Sequence, residues 1–394
     1  MSLMQFLRRS TAPLLLALVL ASCALSVVGN GREAARQKCI FYVGTYTDHS
    51  SKGIYAFRFD SATGESTSLG LASESANPSF LAIASSGQFL YAINEISQFN
   101  GQPTGAVSAF AIQPKTAKLT LLNQVPSRGE GPAHIALDRS GKYALVSNYD
   151  SGSVAVFPLR EDGRVGEATA FAQHKGSSVN KERQEGPHAH AAVFSPDNRF
   201  VIVADLGLDQ LLVYRFDAAT GALGGDPQIV RAVPGAGPRH LVFDAAGRHL
   251  YVINEMQSTV VTYRYDATNG TLRELQIVSA LPKGFARTSE AAEIEMHSTG
   301  KFIFASNRGD DSIAVFAINA KDNGTLTPVE IDSTGGKTPR NFVLDPTGAW
   351  LLAANQDSDD IVVFRVDPST GHLTRSGPEL HVPSPVCVRF VPEP

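Results

Sequence analysis

One pattern recurs through this chain at intervals of roughly 50 residues, and a repeat of that length decides the architecture before anything else does. The segments GPRHLVFDAAGRHLYVINE (Gly237 to Glu255), TPRNFVLDPTGAWLLAANQ (Thr338 to Gln356), GPAHIALDRSGKYALVSNY (Gly131 to Tyr149) and NPSFLAIASSGQFLYAINE (Asn77 to Glu95) share one template. A short apolar strand leads to a tight turn ending in Gly plus a polar residue, and a second apolar strand closes on Asn. Variants run from His190 to Leu206 and from Ala292 to Arg308. The closing residues Asn94, Asn148, Asp205, Asn254, Asn307 and Asn355 lie 54, 57, 49, 53 and 48 residues apart. A third strand follows, as in TVVTYRYD (Thr259 to Asp266) and DIVVFRVD (Asp360 to Asp367), then a turn and a more polar fourth strand. Four antiparallel strands per copy make a blade, which predicts an all-β propeller.

The ends of the chain complete the count. KCIFYVGTYT (Lys38 to Thr47) matches a second strand with Thr45 in place of Asn, and SPVCVRF (Ser384 to Phe390) matches a first strand with no second strand after it. The C-terminal segment is therefore expected to supply the innermost strand of the N-terminal blade, closing a seven-bladed ring and removing its open edges. Pairing Arg239 with Asn254 and transferring that register sets Cys39 opposite Pro392, about 16 Å of strand away from Cys387. That predicts two buried thiols and no disulfide. Residues 39–394 then form one domain, where 394 residues alone would suggest two or three.

The first residues carry a different signal. Arg8 and Arg9 precede an apolar run, Ala12 to Ala21, too short to cross a bilayer, and Leu20-Ala21-Ser22-Cys23 resembles the bacterial lipobox. That resemblance implies a lipoprotein signal at 1–22 and a lipidated Cys23 followed by a polar tether to residue 38. Cleavage would remove two arginines and no acid, taking the formal charge from −4 to −6. The expected location is the bacterial cell envelope, outside the cytoplasm, with the lipid as the only membrane contact. The negative charge and a pI near 6.2 give no basis for nucleic-acid binding.

In an antiparallel hairpin the start of the first strand and the end of the second share one end, so every blade delivers both to one rim of the channel. At the start of the inner strand lie Ser79, Ala133, His190, Arg239, Ala292, Arg340 and Val386; one residue later come Phe80, His134, Ala191, His240, Glu293, Asn341 and Cys387. After the second strand come Tyr46, Glu95, Tyr149, Leu206, Glu255, Arg308 and Gln356. Charged and imidazole groups concentrate between His134 and Arg340. Arg239 is expected to face Glu255 across a hairpin, whereas Arg308 and Arg340 have no evident local acid and suit a substrate carboxylate or phosphate. Of His188 and His190, the alternation of a strand turns one toward the channel, and His190 shares the slot of Arg239. His49, His174, His249, His297, His372 and His381 fall in predicted turns or outer strands and are expected to be solvated. The repeated Asn residues are expected to cap strand ends. Two long connections, residues 174–186 and 283–291, should overhang this rim.

The pieces YVGTYT, HAHAAVFSPDNRF, VADLGLDQ, GAGPRHLVFD, SNRGDDSIAVF and TPRNFVLDPTG make the sequence similar, from Ile40 to Pro392, to the bacterial 6-phosphogluconolactonases of the seven-bladed lactonase family. It more distantly resembles the fungal 3-carboxy-cis,cis-muconate lactonizing enzyme. The resemblance implies hydrolysis of a sugar lactone bearing an anionic group, without metal or other cofactor; the expected state of the chain is a monomer. It implies catalytic roles for His190, Arg239, Glu255 and Arg308, the four that match the muconate relatives. Either Glu255 or His190 would be the general base and Arg239 would stabilise the oxyanion. His134, Arg340, Asn254 and His240 are the candidate substrate-binding residues. Two alternatives stand beside this: a non-catalytic surface propeller, which would not need arginines, a carboxylate and imidazoles at one channel mouth, and lactone formation as in the muconate relatives. Tryptophan-aspartate repeats are excluded by a single tryptophan, Trp350.

Overall fold

A computed structural model describes residues 38–392. The signal sequence, Cys23 and the tether to residue 37 lie outside them. The described chain forms seven antiparallel sheets and no α-helix, with one 3-10 turn at Gln356–Ser358. Blade 5 shows the unit: Pro238–Phe243, His249–Asn254, Thr259–Asp266 and Thr271–Ser279, hydrogen-bonded in chain order. Second strands such as Phe200–Asp205 are buried at every position, because a central strand of a blade sandwiched between two others has both faces covered. Outer strands such as Thr271–Ser279 are largely exposed. The turn between the first two strands needs positive φ, supplied by glycine at Gly141 (φ 69°) and, in blade 4, by Asn198 (φ 57°).

Pro385–Phe390 pairs with Lys38–Thr45 in blade 1, and the inner strands of successive blades touch around a closed ring. Phe41 lies opposite Phe390 and Gly44 opposite Cys387, the register read from the sequence; Cys39 and Cys387 are buried and form no disulfide. Trp350 seals the seam between the last and first blades, its ring edge-on to Phe59 at 6.3 Å and its Nε1 donating to Ser61 O at 2.8 Å.

The inner hairpins carry a feature the sequence reading missed. In six blades the register slips by a residue or more near the start of the inner strand: Pro238 pairs with Asn254 but His240 pairs with Ile253, so Arg239 is a β-bulge and faces no partner. The same slip skips Ala133, His190 and Arg340, and it recurs in blades 6 and 1. A bulge bends the strand and re-aims the extra side chain.

Past the bulge, inner-strand side chains line the channel. Arg389 lies between Glu293 (3.9 Å) and Glu295 (3.8 Å) and over the ring of Phe80 (4.6 Å). Burial between the blades pushes the Glu295 carboxyl up to about 7, although 24% of the side chain meets channel space. The folded state thus favours its protonated form, a contribution present below the ordinary carboxylate range and lost as pH rises through 7. Glu295→Gln should raise Tm by about 2 °C at pH 8 and leave it unchanged at pH 5. An equal change in melting temperature at both pH values would refute this.

Candidate active site

Glu255, at the end of blade 5's second strand, is the charge hub of the rim. Its Oε2 accepts from Arg239 Nε (2.8 Å) and is paired with Arg308 Nη2 (2.8 Å); its Oε1 accepts from Arg183 Nη2 (2.5 Å). The expected Arg239–Glu255 pair is present and buried. Burial alone would push Glu255 up, but Arg308, Arg239 and Arg183 hold it far below the usual carboxylate range. Arg239 also donates Nη1 to Ala292 O at 2.7 Å, and burial pulls its pKa down to about 10.

Two expectations change here. Arg308 is not without a local acid: Glu290 is its partner across the hairpin of blade 6, with Nη2 3.5 Å from Glu290 Oε2. The inner strand of that blade starts at Glu290, two residues earlier than the template placed it. Arg183 was not singled out from the sequence, yet its guanidinium also reaches Glu290 Oε1 at 2.6 Å and Tyr149 Oη at 3.5 Å. Its only sequence signal was membership of the long 174–186 connection. That connection is pinned down: His174 Nδ1 bonds Asp205 Oδ2 (2.6 Å), Ser178 Oγ donates to Asp209 (2.6 Å), and buried Gln184 donates to Leu206 O. Gly207 permits the approach, since a Cβ there would lie 2.0 Å from Gly186 O.

Imidazoles fill the channel beneath. The His190 ring lies 5.0 Å from His240 and 5.5 Å from Tyr149, and His134 lies 5.3 Å from His240 and 4.4 Å from Phe80. His190 therefore faces the channel, while His188 stacks on Tyr149 and bonds its carbonyl. Burial, then Arg239, His240, Arg340 and Arg308, lower His190 well below the ordinary imidazole range. Its Nδ1 is buried without a hydrogen-bond partner among the described residues. His174, His249 and His297, expected in solvent, are buried, with His249 on Asp244 and His297 between Thr299 and Gly348 O. Only His49, His372 and His381 of that group are exposed.

Across the mouth, Arg340 lies over the Tyr46 ring at 5.2 Å and makes no ion pair or hydrogen bond among the described residues. Tyr46 Oη donates to Glu95 (3.0 Å), as does Ser79 Oγ (2.5 Å). A cavity of about 610 Å³ adjoins them, lined by Tyr46, Asp48, Asn77, Glu95, Asp150 and Gln356 among others. Asn254, a candidate substrate ligand, is buried and caps its strand by donating Nδ2 to Thr259 Oγ1, as Asn94, Asn148 and Asn307 donate to the incoming connections, while its Oδ1 has no hydrogen-bond partner among the described residues. Among the described residues no group of three or more His, Cys, Asp or Glu is arranged to hold a metal.

The family model described as lactonase, 7-bladed beta-propeller, matches residues 40–390. The chain belongs to the seven-bladed lactonase family. It is 39% identical over 354 residues to 6-phosphogluconolactonase of Bacillus subtilis, spanning 90% of this chain and 99% of that protein. It is 37% identical to 6-phosphogluconolactonase of Formosa agariphila, over 86% of this chain and 96% of that one. The periplasmic gluconolactonase of Pseudomonas aeruginosa superposes with a TM-score of 0.84 at 34% identity, covering 90% of this chain and 99% of that chain.

The hub of this lactonase should behave unequally on mutation. Glu255→Gln leaves buried Arg239 uncompensated and is expected to cost about 3–5 kcal/mol. Arg183→Ala removes a third, partly exposed guanidinium and should cost about 1 kcal/mol or less. Urea melts of both variants check the contrast, and equal losses would contradict it.

Proposed function

We propose that this lactonase hydrolyses a sugar δ-lactone of the 6-phosphogluconolactone type at the channel mouth, as a monomer tied to the envelope through a lipid on Cys23. The observation that carries it is a division of labour among the charges: three guanidiniums are spent on Glu255, while Arg340 is uncommitted beside neutral imidazoles and a cavity. The names of the Bacillus and Formosa relatives support the phosphorylated lactone, and that of the Pseudomonas neighbour supports a site outside the cytoplasm.

Both oxygens of Glu255 are occupied by cations, so it has little affinity left for a proton and serves as an anchor. His190, neutral and unbonded, is the general base that takes a proton from the attacking water. Arg239 is fixed through Nε and Nη1, and its Nη2, without a partner among the described residues, is the donor offered to the developing oxyanion. Arg340, backed by the Tyr46 ring, holds the substrate's anionic group.

His190→Ala should abolish hydrolysis of 6-phosphoglucono-δ-lactone above the spontaneous rate. Arg340→Ala should raise KM for that lactone about tenfold or more with little change for unphosphorylated glucono-δ-lactone, because a charge-assisted hydrogen bond is worth about 1.5–3 kcal/mol. Equal effects on both lactones would remove Arg340 as the anion holder. Since His190 is lowered well below its ordinary value, wild-type kcat/KM should stay level from pH 8 to below pH 6.5 (about the free imidazole value). A fall centred near the free imidazole value would rule out His190 in this environment as the base.

A further inference from the structure

His240 is the one channel imidazole in contact with a carboxylate. Its Nδ1 lies 3.0 Å from Glu293 Oε1, and both side chains are buried. Glu293 is fixed at each oxygen: Oε1 also accepts the Ile294 N–H at 3.1 Å, and Oε2 accepts from Asn341 Nδ2. A carboxylate only accepts, so the imidazole donates from Nδ1 and its Nε2 is the basic nitrogen. That Nε2 is buried with no hydrogen-bond partner among the described residues, in a ring edge-on to His190.

The charges around the two rings are unequal. Arg239, Arg340 and Arg308 all oppose a proton on His190, as a proton on His240 would, so only a neutral His240 held on Glu293 can support it. Around His240, Arg239 and Arg389 oppose a proton and Glu293 favours it; His134, His190 and Phe80 are the other rings in contact, and Glu295 lies beyond Arg389.

We infer that Glu293 and His240 are positioning residues for the hydrolysis, a buried carboxylate–imidazole pair that stabilises the proton His190 takes from water. The inference rests on the channel mouth being the hydrolytic site. The water's oxygen forms the new bond to the lactone carbonyl carbon as its proton moves to His190. The ring C–O bond then breaks and the leaving alkoxide takes that proton back, so the lactone has gained one water to become the hydroxy acid and the protein returns to its starting state. Between these events the extra positive charge sits among three arginines, and Glu293, acting through His240, is the group placed to offset it.

The test uses Glu293→Gln in the full chain, with kcat and KM for 6-phosphoglucono-δ-lactone followed from pH 4 to pH 8. The expected result is a kcat lower by about 10- to 100-fold with KM little changed. The acid limb of the profile should move to lower pH by about one unit, because loss of the carboxylate weakens the base. A merely structural role would not move that limb. A wild-type limb and kcat in Glu293→Gln, with His190→Ala inactive, would overturn this inference alone; an active His190→Ala would overturn the site itself. Should Glu293→Gln fail to fold, His240→Gln keeps a side chain of similar reach, and undiminished kcat in that variant would equally refute the pair.

Discussion

The pairing of Pro385–Phe390 with Lys38–Thr45 is the contact on which the remaining architecture depends. Without it, blade 1 would lack its inner strand and the ring would end in two exposed edges, each a template for aggregation. The partners are nearly the whole chain apart, yet closure entropy grows only logarithmically, by about 0.6 kcal/mol for each doubling of the loop. Recruiting the last strand is therefore little costlier than recruiting one a hundred residues away, and Phe41, Val43 and Val388 are fully buried once it docks. Closure also brings Arg389 and Cys387 into the channel, so the chain's end completes the wall on which the imidazoles rest.

Within the closed ring, the bulge converts a repeated fold into a particular site. An uninterrupted inner strand would alternate its side chains between channel and blade interior from its first residue. In six of the seven blades the slip at the strand start inserts an extra residue into the inner strand. That slot holds Ala133 and Val386 in two blades, and His190, Arg239 and Arg340 in three whose side chains gather at the channel mouth.

The ring, its seven units and its closing register were legible because the Asn-closed hairpin recurs with a nearly constant period. Residues aligned by that template, Arg239, Glu255 and His190, were found because hairpin geometry alone sends them to one rim. What escaped did so for physical reasons. Arg183 comes from a connection with no repeat, so no template predicts where its guanidinium arrives. Glu290 lies before the expected start of an inner strand, because blade 6 pairs one residue further toward the rim than its neighbours, with Glu290 opposite Arg308. The buried His174, His249 and His297 follow turn-like sequences but are covered by adjacent blades. That is a property of packing between repeats, which the period of one repeat does not contain. The cap role expected of the repeated asparagines is visible at Asn254, whose Nδ2 donates to the third strand.

The electrostatics of the mouth follow from how little water reaches it. Glu255 and Arg239 are both buried, and a carboxylate taken out of water survives as an anion only with compensating charge. Three arginines over-compensate it, and the surplus positive field suppresses protonation of the nearby histidines. A neutral imidazole is what abstracting a proton from water requires, but the same field penalises the imidazolium that results. Glu293, a second and separately anchored carboxylate, is placed to answer that conflict, because it bonds the His240 ring and is held by Asn341 from the next blade. With Glu255 committed to arginines and Glu293 to the His240 ring, the site can stay positive toward substrate while still accommodating a transient proton.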